Sequence, residues 1–566
     1  MTRPPAVTLT APVGMDSTSD ALSMPGNKAQ RLENLLTERS GKLLAQISLP
    51  QVLSAFSAGI DGLFWYFGAE SEDDRLLIVS AGALFAAVPS LTQTYPPTFS
   101  SVASVGMGFN VGGSVRGVMY GTEFLFAQEG GIQPLRYDGA GLYQLGIVAP
   151  SAPSVSNGTP SGAAVTKKVG TISYKVSYFD SRYRESDLSP STSLTFTAGK
   201  CGFVTIAYGS DPQVIGAYIY ASTNGGSIWY RIGTLLKPAV LFEDNFADST
   251  VNTGTVGPSP GQYAIPNKAS AIALHKNYLF LNDTTNPNSV QVNNIGAPTQ
   301  WASVTYTAAD GTKLTSTTWQ NDPVQNMISL GSLLAFFKRS KVYMLFGSSV
   351  SDFQIQPIHE KGILAPDSLV RTDNVLMFLA GDGVYALGDT SFVLQKVSKD
   401  IESDLQTYAE TVDGQALLTS AFATFANNNY YLCIGDKLFI YSLDEQGWTI
   451  IDRGTFVAGT SVNRSGEPPI LYLANEGNSI VILDTLTPEA TLDGIRYTTH
   501  AIGFDEPGRQ RLRIKRVVVE GTAQNVAGSI TAYSDTKSEV RAVSGPYNAN
   551  EGILLWQEFS PAVVGQ

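Results

Sequence analysis

Cysteine is nearly absent from this chain: Cys201 and Cys433 are the only two in 566 residues. They stand far apart and at no paired spacing, which excludes a disulfide framework and fits folding in a reducing cytoplasm, with both thiols expected to be buried. Histidine is scarce too. His275, His359 and His500 are the only three, none has a second histidine at metal-ligand spacing, and His359-Glu360 lacks the second histidine of a zinc-protease helix. No phosphate loop, dinucleotide fingerprint or Gly-x-Ser-x-Gly elbow occurs. The acidic pairs Asp73-Asp74 and Glu243-Asp244 are expected in turns, and would serve glycoside hydrolysis only if folding set two carboxylates about 5–9 Å apart. The expectation is a protein that is not an enzyme, with no catalytic, cofactor-binding or metal-binding residues and no cofactor.

Charge is also thin, at 15% of residues, and basic residues are the minority: 37 Lys and Arg against 49 Asp and Glu, a formal net charge of −12. That balance argues against a surface that holds nucleic acid by neutralising phosphates. Taken alone, it most simply suits a large protein that stays in solution. No apolar run approaches the roughly 20 residues of a membrane helix, and the first twenty residues lack the basic-then-apolar pattern of a signal peptide. A soluble protein, not exported by a cleaved signal and without a membrane partner, is expected.

What the chain has instead is turn formers and aromatics: 54 Gly, 29 Pro, 25 Tyr and 26 Phe, with 43% hydrophobic residues. This favours many short strands joined by tight turns, hence an all-β protein, and the length exceeds what one core usually organises. A hairpin recurs, an apolar strand, a Gly-centred turn and a strand opening on Val or Leu beside an aromatic. Its copies lie at 76–88, 332–346, 375–387, 430–443 and 470–483, with looser copies at 124–145 and 272–292. Spacings of about 40 to 50 residues between most copies match one blade of a β-propeller per repeat, six to seven blades in all.

The spacing breaks where GIVAPSAPSVSNGTPSG and TGTVGPSPGQYAIP, two Pro-, Ser- and Gly-rich linkers, bracket a stretch with about six strands, the pattern of an inserted immunoglobulin or fibronectin III-like β-sandwich. The expected organisation is therefore 1–45, an N-terminal arm and opening segment; 46–149, the first part of the propeller; 150–262, the inserted domain; 263–490, the rest of the propeller; and 491–566, a β-rich C-terminal region. Residues 1 to about 28 read as an extended arm, and spacing alone makes 31–44 a short amphipathic helix.

Near the C-terminus, RQRLRIKRVVVE would place Arg509, Arg511, Arg513 and Lys515 on one face of a strand at roughly 7 Å spacings, so something acidic or anionic should oppose them. Three roles stay open: a subunit interface, a channel lining that meets DNA phosphates, or a solvated edge that discourages strand addition.

The segment 361–408 is the most distinctive. A Lys-Gly-Ile lead, a Pro-containing loop, a Phe-Leu-x-x-Asp-Gly-Val-Tyr hairpin and a Ser-x-x-Ile-Glu start of a short helix follow one another. With Glu33-Asn-Leu-Leu-Thr-x-x-x-Gly-Lys-Leu and the late basic strand, this ordered set resembles the tail nozzle (tail accessory, tail tubular or head-stabilisation) proteins of short-tailed bacteriophages. The resemblance implies a structural virion protein, assembled in the host bacterial cytoplasm and located in the tail. It implies a homo-hexamer that extends the portal and adaptor ring, passes genomic DNA without sequence-specific binding, and anchors tail fibres, spikes or a plug. The alternative is a phage tail propeller that binds or hydrolyses host glycans. Its support is the aromatic content and the Ser222 to Trp229 turn, which is similar to an Asp-box with Asn224 in place of Asp. A host cell-surface propeller is disfavoured by the missing signal peptide.

Overall fold

The computed structural model describes residues 12–19, 24–25, 27–38, 42–44, 48–53, 56–90, 97–162, 170–196, 199–223, 227–285, 290–294, 297–302, 322–372, 374–388, 392–452, 454–463 and 469–483, and the backbone of strands at 496–499, 513–520, 523–534, 537–549 and 553–564. Strands dominate, and the described helices are short. Seven antiparallel sheets of four strands follow one another at 60–107, 115–144, 272–302, 326–359, 370–396, 422–451 and 456–482, the last taking its fourth strand, Gln51–Leu53, from near the N-terminus. Each recurrent hairpin falls within one of these sheets.

The turns explain the hairpins. Ala81 and Gly82, Lys276 and Asn277, and Asn427 and Asn428 all have positive φ at both central positions, the conformation whose twist matches that of the flanking strands. Alternate residues of a central strand then face two different neighbours. Phe336 looks to the third sheet, where Phe280 lies 6.2 Å away, and Phe337 looks to the fifth, where Phe378 lies 4.9 Å away. This is why the hairpins read as continuous apolar runs rather than as alternation. The same pairing continues around the molecule: Met377 and Leu379 with Tyr430 and Leu432, Tyr431 and Cys433 with Leu471 and Leu473, and Tyr472 stacked 5.8 Å from Trp65 of the first sheet. Leu77 and Val79 meet Phe124 and Phe126, and Leu125 meets Leu279 and Leu281. Seven inter-sheet cores thus close on themselves, and the first strands of successive sheets lie side by side all the way round.

Between the second and third sheets, a three-stranded sheet (Ser154–Gly158, Cys201–Thr205, Leu241–Asp244) faces a four-stranded one (Thr192–Phe196, Gly170–Phe179, Gly216–Thr223, Tyr230–Leu236) across a core that includes Tyr174, Val176, Val204 and Ile219. Two expectations need correction here. The first Pro-, Ser- and Gly-rich stretch is not merely a linker: it holds strand Ser154–Gly158, paired with Cys201–Thr205, so the insert has seven strands. Glu243-Asp244 ends a strand rather than sitting in a turn, and buried Asp244 accepts the Tyr174 hydroxyl at 2.6 Å, pinning one sheet to the other.

The helix expected over 31–44 is absent. Strands Lys28–Glu33, Leu36–Glu38 and Lys42–Leu44 take its place, broken at Asn34 with φ 56°. Tertiary pairing overrides local spacing: Lys28–Glu33 pairs with Gly14–Met15 and Arg496–Thr499 and touches Gly447–Ile451, extending the sixth sheet to seven strands. Met15, Ala29 and Leu32 are fully buried there, so strands Gly14–Met15 and Lys28–Glu33 lie against the chain's own sheet.

Candidate interaction surfaces and the ring centre

Of the basic strand, Arg509 and Arg511 lie outside the described residues. Arg513 and Lys515 fall on strand Arg513–Glu520, antiparallel to Ile553–Val564, with Arg513 opposite Val564. The register shifts between Ile514 and Arg516, where the extra residues, 559–562, stand on the facing strand. His500 and the centre of the Asp-box-like turn, Asn224 included, also lie outside the described residues.

The best-defined polar groups are ones the sequence did not single out. Arg116, on inner strand Val115–Tyr120, grips Asp367 with Nε 2.6 Å from Oδ1 and Nη2 3.0 Å from Oδ2. Its Nη1 donates to the Ser270 carbonyl at 2.7 Å and to the Gln325 carbonyl at 3.5 Å. Ser270, Gln325 and Asp367 shortly precede the first strands of the third, fourth and fifth sheets, so one guanidinium ties four sheets together at the inner wall. A bidentate pair of this kind fixes geometry as well as charge.

A second network holds the inserted unit to the ring. Arg136 and Glu123, 3% and 2% exposed, stand on adjacent strands of the second sheet, 2.8 Å apart. Arg136 also reaches Gln213 at 2.9 Å and Asp180 at 3.5 Å, while Arg184 of the insert donates to Glu123 and Asp180, each at 2.8 Å. Burial and then the neighbouring Arg184 charge pull the Arg136 guanidinium down from its ordinary value. Both connections are clasped as well: Gln213 donates to the Gly146 carbonyl at 2.9 Å, and the Asp187 carboxylate accepts from the backbone of Gly261 and Tyr263. The signal was present in sequence as single charges, Glu123 and Arg136, inside apolar strands, since a buried charge demands a partner.

The distinctive segment is built around Lys361, whose Nζ lies 2.8 Å from the Asp382 carboxylate of the hairpin turn; Tyr385 donates to that same carboxylate at 2.9 Å. Ser398 accepts from Val384 N, and Trp448 of the sixth sheet donates to the Val397 carbonyl at 2.8 Å. The short helix is present as Glu402–Ala409. On it, Asp404 takes Arg31 at 2.5 Å and Ser17 at 2.5 Å, and Asp400 just before it takes Lys28 at 2.9 Å, which clips the N-terminal segment in place.

Among the described residues no three or more His, Cys, Asp or Glu are grouped as metal ligands. His359 Nε2 lies 2.7 Å from the Phe392 carbonyl oxygen. Both cysteines are buried and neither forms a disulfide, and burial pushes the Cys433 thiol up to about 12, far from a nucleophile's range. No described helix is long and apolar enough to cross a membrane.

No family model matches the chain, and no curated protein matches it in sequence. Among solved structures it is similar to apo AztD from Citrobacter koseri, at 10% identity over 69% of this chain and 86% of that one, with a TM-score of 0.30. It is similar to BBS1N in complex with ARL6DN, at 9% identity over 81% and 99% of the two chains, TM-score 0.34. It is also similar to PorZ, an essential bacterial surface component of the type-IX secretion system of Porphyromonas gingivalis, at 9% identity over 88% of this chain and 46% of that one, TM-score 0.26. At these scores none of the three says what this chain does.

Proposed function

We propose that the seven-sheet ring is a seven-bladed β-propeller carrying an immunoglobulin or fibronectin III-like insert, and that the chain is a non-enzymatic virion protein, the tail nozzle of a short-tailed bacteriophage. The observation that carries this is the ordered segment 361–408, whose resemblance to nozzle proteins extends to the 33–43 pattern and the late basic strand. Its unusual residues have a mechanical use: Lys361, leading in from the fourth sheet, holds Asp382 of the fifth, Ser398 just after the fifth sheet accepts from Val384, and Trp448 of the sixth donates to Val397.

In this account six copies form a ring below the portal and adaptor, leave an axial passage for genomic DNA, and present their outer and distal faces to fibres, spikes or a plug. Identical copies joined by head-to-tail contacts close after six steps. The net charge of −12 lets DNA slide past without being gripped. The protein's work is interfacial: binding energy spread over contacts between rigid subunits.

The glycan reading has less support. A saccharide site at the ring centre would need a free pair of carboxylates, and Asp367 there is engaged by Arg116. Native mass spectrometry tests the proposal: it expects a species of six times the 60.4 kDa chain, and no release of sugars from host surface polysaccharide. Clear polysaccharide turnover by a single chain would overturn it.

A further inference from the structure

Between Arg75 and Arg116 the chain has no Asp, Glu, Lys, Arg or His, its longest charge-free stretch. Two strands of that stretch, Arg75–Ser80 and Ala83–Pro89, are largely buried, which accounts for their composition. The third, Phe99–Met107, is not. It is the outer strand of the first sheet, residues 100–104 are exposed, and among the described residues no strand pairs with its outer edge. Val102 is 40% exposed, Met107 77% and, in the following loop, Val111 76%.

An open edge presents a row of unpaired N–H and C=O groups that recruits another strand, so folded proteins shorten, charge, cover or bulge their edges, or interrupt them with proline. Each of the other six outer strands is treated in one of these ways. Leu142–Gln144, Leu394–Lys396 and Gln51–Leu53 have three residues apiece. Ala297–Ala302 and Gln354–His359 contain Pro298 and Pro357, and Gly447–Ile451 is covered by the N-terminal segment. Phe99–Met107 has nine residues, no charge and no proline. Register shifts near its two ends leave residues 101–104 in regular pairing with residues 85–88.

We propose that this edge is where one copy of the chain receives a strand of a second copy. A partner recruited by opposite charge would find nothing to bind here. Two copies that each carry −12 repel over much of their surfaces, whereas strand Phe99–Met107 itself adds no like charge to a contact. The proposal rests on the reading that the chain assembles from identical copies and names the surface they use; in a ring that surface meets a different one on the next subunit.

The test compares the intact protein, a Ser101→Lys/Ala103→Lys variant, and a control, Val412→Lys, which charges a residue 83% exposed on helix Val412–Thr419. Light scattering over a concentration series reads assembly, and thermal unfolding reads folding. The expected result is that the intact chain and the control assemble while the edge variant melts alike but needs at least about tenfold more protein to assemble. An edge variant that assembles like the intact chain overturns the assignment and leaves the assembly reading standing. Equal loss in edge variant and control also overturns it, because charge rather than place would be the cause. An intact chain that stays single at every concentration overturns both.

Discussion

His275 is wedged between the third and fourth sheets, its Nδ1 2.8 Å from Ser329 Oγ, and burial, with the Lys276 charge adding, pushes its pKa down to about 4. In the unfolded chain the ring titrates near its ordinary value of about 6.5. Between those values the unfolded chain takes up a proton that the folded one refuses, so stability falls as pH falls through the window, by at most about 3 kcal/mol, and is unaffected by this group above it. Melting temperatures followed from pH 7 to pH 4 should therefore drop more steeply for the natural chain than for His275→Gln; parallel curves would contradict this. Glu123 makes the complementary case. Replacing it with Ala takes the nearest carboxylate from Arg136, only 3% exposed, and from Arg184, leaving buried Asp180 to serve both, and breaking a buried pair in this way costs about 3–5 kcal/mol; a loss below about 1 kcal/mol by urea unfolding would show that the network carries no weight. Which carboxylate meets which guanidinium could not be read in advance, since Arg136 and Asp180 lie 44 positions apart. That some partner was needed could be.

The hairpins were the legible elements, because paired positive-φ turns and two-sided burial leave marks in a short window of sequence. Phe337, fully buried against Phe378, illustrates how the strands hold the ring: Phe337→Ala should cost about 3–5 kcal/mol through lost burial and the cavity left between sheets, a value that equilibrium denaturation measures directly. Strands made by long-range pairing left no such mark. Ser154–Gly158 lies in a stretch rich in turn formers, and Lys28–Glu33 is a strand because the sixth sheet receives it, a partner more than 400 positions away. The clip that holds this N-terminal segment is testable. Arg31→Glu should free it and speed limited proteolysis within residues 12–33, and adding Asp404→Arg should slow cleavage again by restoring an ion pair of reversed sense. Equal cleavage of the single and double variants would assign the docking to Met15, Ala29 and Leu32 alone.

For the molecule as a whole, seven sheets whose cores close in a ring, an insert fixed by buried ion pairs, and an N-terminal segment folded back on the sixth sheet describe a stiff body. The all-β character was legible in composition; the proposed assembly has only indirect traces in sequence, such as a basic strand or an edge without charge. The claim that this chain is a phage tail nozzle is tested most directly by electron microscopy of particles that contain it, classified without imposed symmetry. The account predicts a six-fold ring, one copy per sixth, below a twelve-fold portal or adaptor. Single chains or trimers carried as appendages would contradict it and favour a glycan-binding tail component.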